Sequence, residues 1–166
     1  MVRRTKEQSE QTRKLIIAAA RDAFQQRGVT RTTMEHIAAA AGVTRGAVYW
    51  HFADKTALFY AMREEVALPL MDRSHTELLG QEKKATPPLE RIHHFLLAMV
   101  DAMVGCEEVR RTFDIMTFKC EYVDEFREEL DRSRRVHEEI LGMLTRVYRE
   151  APVSYTHLTL PTILLV

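Results

Sequence analysis

Residues 42–52 read GVTRGAVYWHF, with four rings in a row, Tyr49, Trp50, His51 and Phe52, directly after a TRGA segment. Successive side chains on a helix point about 100° apart, so one core cannot take all four rings. Some of them must face outward. Just upstream, Thr32 with Glu35 has capping-box spacing and Thr33 is the alternative cap. The short helix that follows carries Ile37, Ala38 and Ala41 and ends at Gly42. Thr44 then caps a second helix of about two turns, through Val48 to His51. A helix, a three-residue turn with glycine and a short second helix make a helix-turn-helix.

In that geometry Ala38 sits where the two helices cross, and Val43, Val48 and Phe52 face inward. Arg45, Gly46, Ala47 and Tyr49 are left on the outer side of the second helix. Small residues at 46 and 47 let a helix approach base edges, and an arginine at 45 can bond guanine O6 and N7 bidentately. Tyr49, Trp50 and His51 can donate hydrogen bonds to phosphates from the helix end, and Lys55 adds a charge there. Thr33 and Thr44 expose helix N-termini, which are themselves phosphate seats. Each residue also has a plainer reading. Arg45 could be a solvated surface arginine, the rings the rim of a small core with Trp50 partly on the first helix, and the threonines caps alone.

Helical spacing dominates the rest of the chain, and no alternating strand pattern appears before residue 151, so the expected fold is all-α. From about Gln11 to Arg27, Leu15, Ile16, Ala19, Ala20, Ala23 and Phe24 form one stripe, closed by Gly28 where a C-cap wants positive φ. Asp54 caps a helix through Leu58, Phe59, Met62 and Val66, and Pro69 is expected to end or kink it. Residues 80–88, GQEKKATPP, read as a loop. Ile92, Phe95, Leu96, Met99 and Val100 mark a helix broken by Gly105, and Val109, Phe113, Met116, Thr117 and Cys120 form the next apolar set. A long charged helix from about Tyr122 to Arg149 has the stripe Phe126, Leu130, Ser133, His137, Ile140, Leu144 and Val147.

Phe95, Leu96, Met99, Phe113, Met116 and Ile140 read most simply as core. Adaptable methionine beside Thr117 and His137 on otherwise apolar faces suits a ligand cavity instead. The plainer role for His137 is a water-mediated bridge between helices, and His93, His94 and Cys120 read as structural.

Charge is balanced overall at 24 Lys/Arg and 24 Asp/Glu, but not along the chain. Residues 1–55 hold ten Lys/Arg against five Asp/Glu, +5; residues 56–166 hold fourteen against nineteen, −5. A basic front suits a polyanionic partner. No apolar run approaches the roughly 20 residues of a membrane span, and MVRRTKEQSEQTRK lacks the apolar region of a signal peptide. A cytoplasmic protein without a membrane partner is expected. Cys106 and Cys120 are isolated thiols without CxxC or His-paired spacing, so neither a disulfide nor a metal site is expected. The motifs GxSxG, GxGxxG, HExxH and the P-loop are absent, and no catalytic residue or cofactor is assigned. A helical protein-interaction module remains the alternative, separable by salt dependence, because DNA binding must weaken as salt rises.

The last sixteen residues, APVSYTHLTLPTILLV, contain none of the 48 charges. At the density of the preceding 150 residues about five would be expected. Residues 151–166 are therefore expected to be foreign to the fold, the alternative being an apolar C-terminal strand.

Residues 32–59, TTMEHIAAAAGVTRGAVYWHFADKTALF, resemble the DNA-binding signature of the TetR family of one-component repressors. The branch they most resemble is that of AcrR and TtgR, which controls multidrug efflux pumps. MVRRTKEQSEQTR at the start and FKCEYVDEF at 118–126 are similar to that branch too, so the likeness covers about residues 1–150. The resemblance implies a three-helix DNA-binding domain over 1–55 and a helical effector-binding and dimerising domain over 56–150. It implies base contacts around Arg45, Gly46, Ala47 and Tyr49, and phosphate contacts from Thr33, Thr44, Trp50, His51 and Lys55. It further implies a homodimer on a pseudo-palindromic double-stranded DNA operator, released by an apolar or aromatic small molecule. The expected effector contacts are Phe95, Leu96, Met99, Phe113, Met116, Thr117, His137 and Ile140, with Phe113 and Thr117 standing where relatives place polar, drug-binding groups. Family members continue well past 150 with another long helix that completes a four-helix dimer interface. The effector domain is therefore expected to be incomplete here, with the face of Ile140, Leu144 and Val147 partly exposed.

Overall fold

The computed structural model describes residues 6–123 and 126–151, Lys83 and Lys84 without their side chains. Among these residues seven α-helices make the fold: α1 (Lys6–Arg27), α2 (Met34–Ala40), α3 (Arg45–His51), α4 (Lys55–Leu79), α5 (Pro88–Gly105), α6 (Glu107–Asp114) and α7 (Arg127–Arg149). A 3-10 turn over Gln81–Ala85 joins α4 to α5, and a π-helical turn over Ile115–Lys119 continues α6. Residues 152–166, and with them the expectation of a foreign tail, lie outside the described residues. Among the described residues there is no strand, and no helix is long and apolar enough to cross a membrane.

Capping chemistry sets the helix ends. Gly28 at φ +80° and Gly42 at φ +63° occupy the left-handed region, where a β-carbon is strained. Thr33, not Thr32, caps α2. Its hydroxyl accepts from the His36 N–H at 3.2 Å, and His36 Nδ1 accepts from the Thr33 N–H at 3.3 Å, so histidine closes the capping box in place of Glu35. Thr32 is buried and donates its hydroxyl to the Gly28 carbonyl at 2.7 Å, tying the end of α1 to the turn before α2. Asp54 caps α4 by accepting from the Ala57 N–H at 2.7 Å.

Of the two readings of Pro69, an end or a kink, the structure removes the end: α4 runs on to Leu79. Proline removes a single ladder donor, and Pro69 is exposed, so water can serve the carbonyl left over. The last helix starts at Arg127 rather than near Tyr122. Tertiary contacts claim the residues before it: Tyr122 donates its hydroxyl to the Met116 carbonyl at 2.6 Å, and Phe126 packs edge-on against Phe59 with centroids 5.3 Å apart.

Two apolar cores result. The first gathers Ile16, Phe24, Ile37, Val48, Leu58 and Phe59 from α1 to α4, with Ile115 and Phe126 joining from the back of the chain. Each such side chain, fully buried, contributes about 1.5–3 kcal/mol. The second contains Leu78, Phe95, Met143 and Val147, with Ile140 and Leu144 packed against it. The expectation of a partly exposed face holds for Ile140 and Leu144, which are half-buried, and fails for Val147, which is 0% exposed in a core shared with α4 and α5. The exposed apolar side chains of α7 are Leu141 and Tyr148, and α5 exposes Leu97, Val100 and Val104.

Candidate nucleic-acid interface and linked cavity

Helix α3 is pinned from below and open above. Val48 and Phe52 are buried, the Val43 N–H donates to the Ala38 carbonyl at 3.0 Å, and Ala38 is itself buried at the crossing. Thr44 Oγ1 accepts from the Ala47 N–H at 3.1 Å and fixes the first turn. Thr33, Thr44, Arg45, Gly46, Tyr49 and Trp50 are exposed, while Ala47, His51 and Lys55 are half-buried. A β-carbon built on Gly46 would meet only Thr44 Oγ1, at 3.9 Å. Internal packing therefore does not require glycine there.

Arg45 Nη1 lies 2.8 Å from Glu35 Oε1, and its guanidinium carbon is 5.3 Å from the Tyr49 ring centroid. A Tyr49 hydrogen bond and the Glu35 charge hold the Arg45 proton still more firmly. The Glu35 carboxyl is in turn lowered by the backbone N–H at its helix start, the Thr33 hydroxyl and the Arg45 charge. The pair links the first turns of α2 and α3, and Arg45 must leave Glu35 to reach a base.

Trp50 is 72% exposed, which leaves little of it to pack on the first helix of the pair. Its ring instead stands edge-on to His51 at 4.6 Å. Lys55 is tied inward, with Nζ donating to the Thr30 carbonyl at 3.2 Å and lying 5.7 Å from the Phe126 ring centroid.

Behind this surface, α4, α5, α7 and the α6–π segment line a cavity of about 330 Å³ that is partly open to solvent, room for one small organic molecule. Phe95, Leu96, Met99, Phe113, Met116, His137 and Ile140 all line it. Thr117 does not. The π-helical turn is wider than an α-helical one and carries Thr117 off the inner face into solvent, while Thr112 is the threonine that is fully buried. His137 Nδ1 lies 2.8 Å from the Ser133 carbonyl and donates to it, so this nitrogen bonds within its own helix rather than to a neighbouring one.

Sequence reasoning missed Arg63. It lines the cavity while its Nη1 donates to Glu129 Oε1 at 2.6 Å, with Arg63 only 7% and Glu129 0% exposed. Burial pushes the Glu129 carboxyl above the usual range, and Arg63 pulls it part of the way back. A signal was available: Arg63 falls four residues after Phe59 and three before Val66, and Glu129 falls four before Ser133, positions on the inward stripes.

The cavity wall and the front helices share one segment. Phe113 and Met116 face the cavity, and residues 112–119 bond to α1 and the turn after it. Buried Arg21 donates from Nε to Thr112 Oγ1 at 3.1 Å and from Nη2 to Glu65 Oε2 at 3.2 Å. Gln25 donates to the Asp114 carboxylate, and the Val29 N–H donates to the Lys119 carbonyl at 2.8 Å.

Next to this segment, burial, assisted by the Glu129 charge, pushes the Cys120 thiol up to about 12. Because the thiolate is the reactive form, Cys120 should alkylate with iodoacetamide at pH 8 at least about tenfold more slowly than free cysteine. Mass spectrometry of the native chain would check this, and labelling at the free-cysteine rate would show that the junction opens.

Comparison with known proteins agrees with this geometry. The profile of bacterial regulatory proteins of the tetR family matches residues 16–62. The chain is 40% identical over 125 residues to the HTH-type transcriptional regulator TtgR of Pseudomonas putida, covering 75% of this chain and 58% of TtgR. It therefore spans less than two thirds of that relative. NalD, the secondary repressor of the MexAB-OprM multidrug efflux pump in Pseudomonas aeruginosa, matches with a TM-score of 0.74 and 36% identity, over 86% of this chain and 69% of NalD. The complex of triclosan with SmeT, the repressor of the Stenotrophomonas maltophilia pump SmeDEF, matches with a TM-score of 0.71 and 30% identity, over 84% and 66%. In sequence and in helical architecture alike, the chain belongs to the TetR family of bacterial regulatory proteins.

Proposed function

We propose that this chain is a ligand-responsive DNA-binding repressor of a multidrug efflux operon, and not an enzyme. It acts in the cytoplasm as a homodimer. Residues 1–55 read DNA, and residues 56–150 bind the effector and dimerise. Arg45, Gly46, Ala47 and Tyr49 contact bases, and Thr33, Thr44, Trp50, His51 and Lys55 contact phosphates. Two α3 helices must match successive major grooves about 34–36 Å apart. The exposed apolar side chains Leu141 and Tyr148 on α7 support dimer docking on that side.

The observation that carries the reading is the shared segment 112–119, with Phe113 and Met116 in the cavity wall and Thr112, Asp114 and Lys119 bonded to α1 or the turn after it. An effector pressing on Phe113 and Met116 displaces the bonds that seat α1 and changes the spacing of the two α3 helices. It does so only to the extent that it binds the released conformation more tightly. The SmeT–triclosan complex supports an aromatic effector.

A compound that fills the cavity should raise the melting temperature, since binding at a hundred times Kd adds about 2.7 kcal/mol to the native state. The same compound should release the chain from its operator. Met99→Trp, which fills the cavity, should abolish both responses, whereas a variant responding to every compound as the parent does would place the effector elsewhere.

A further inference from the structure

Arg63 is the one lysine or arginine among the described residues lining the cavity, and neither aspartate nor glutamate is among them. Its partner Glu129 lies behind the wall and touches it through a single contact, Nη1 to Oε1. A guanidinium has five donors. Arg63 Nε and Glu129 Oε2 are both buried without a hydrogen-bond partner among the described residues, so the pair leaves hydrogen-bonding capacity unused on each side. The nearby charges Arg132 and Glu64 lie 3.7 Å apart and largely offset each other.

Of the other polar side chains of the wall, Ser74, Ser133 and His137, two point a donor elsewhere. Ser74 donates its hydroxyl to the Leu70 carbonyl at 2.7 Å, and His137 Nδ1 donates to the Ser133 carbonyl. Arg63 is thus the one guanidinium or ammonium among the described residues of a mostly apolar wall that holds no carboxylate. A ligand carboxylate supplies the acceptors it lacks, whereas a ligand ammonium meets Arg63 and no opposing carboxylate.

We propose that the cavity selects amphiphilic acids: compounds with an aromatic or apolar body and one carboxylate, or a comparably acidic group, seated on Arg63. This rests on the effector reading of the cavity and adds the charge class of the effector.

The test is calorimetric titration of the full chain at neutral pH with three probes of one shape: naphthoate, naphthylmethanol and naphthylmethylamine. Naphthoate should bind about tenfold more tightly than naphthylmethanol, the effect of one added charged hydrogen bond, and naphthylmethylamine should bind most weakly. The double variant Arg63→Met/Glu129→Leu removes both charges and leaves no unpaired buried ion. It should lose the preference for naphthoate while still binding naphthylmethanol within about threefold of the parent. Glu129→Gln, which keeps the guanidinium, should retain or increase the preference, so the inference stays testable if the double variant fails to fold. Equal binding of all three probes to the parent, or an unchanged preference in the double variant, would overturn the inference and leave the cavity reading standing. Loss of the preference in Glu129→Gln would overturn it as well. Failure of all three probes to bind the parent would overturn the cavity reading and the inference together.

Discussion

Leucine in place of Arg63 should lower the stability of the chain by about 3–5 kcal/mol at neutral pH, because the buried carboxylate of Glu129 loses its cation. The effect should depend on pH, with a sign that the geometry fixes. Glu129 is already held above the usual carboxylate range with Arg63 in place, and the substitution raises it further. A folded-state value above the unfolded one means that ionisation penalises the fold as pH rises through the folded value. The penalty is therefore present at neutral pH and disappears below about 4.3, the ordinary value for glutamate in an unfolded chain. Adding Glu129→Leu should recover most of the loss, since two well-packed apolar groups replace an imperfect ion pair. Urea titrations of the single and double variants at neutral and acid pH would check it. A single variant as stable as the parent at neutral pH would show that Glu129 finds another partner or is not buried.

Alanine in place of Arg45 should weaken operator binding about ten- to a hundredfold and relax preference at one base position. Arg45 is exposed and its partners among the described residues, Glu35 and Tyr49, are exposed too, so the melting temperature should not move. Lys55→Ala provides the contrast. It should weaken binding to all sequences alike and flatten the salt slope by about one unit. It should also loosen the turn after α1, because Lys55 holds the Thr30 carbonyl. An Arg45→Ala variant with unchanged affinity and unchanged base preference would remove Arg45 from the base-reading set.

The helix-turn-helix was legible because local chemistry writes it. Thr33 and Thr44 cap, Gly28 and Gly42 take positive φ, and Ile37, Val48 and Phe52 mark the buried side. Most of the cavity was legible for a similar reason: Phe95, Met99, Phe113 and Ile140 recur at helical spacing. What escaped depends on partners far away in sequence. Arg63 and Glu129 are 66 residues apart, and Arg21 and Thr112 are 91 apart; local patterning is blind to both pairs. Thr117 was misplaced because a π-helical turn shifts the hydrogen-bond register without a sequence mark as plain as a proline. Val147 was misjudged because it was weighed against a dimer partner, whereas it is buried in a core with α4 and α5 of the same chain; Ile140 and Leu144 beside it stay half-buried, as expected.

That α3 reads base sequence in a duplex is tested most directly by one titration. A duplex selected from a random-sequence pool, and a scrambled duplex of equal composition, would be titrated with the chain by fluorescence anisotropy between about 50 and 200 mM salt. The selected duplex should be pseudo-palindromic and bind at least about a thousandfold more tightly than the scrambled one, with affinity falling steeply as salt rises. Equal affinity for both duplexes, or affinity indifferent to salt, would contradict DNA reading by α3 and leave a helical protein-interaction module in its place.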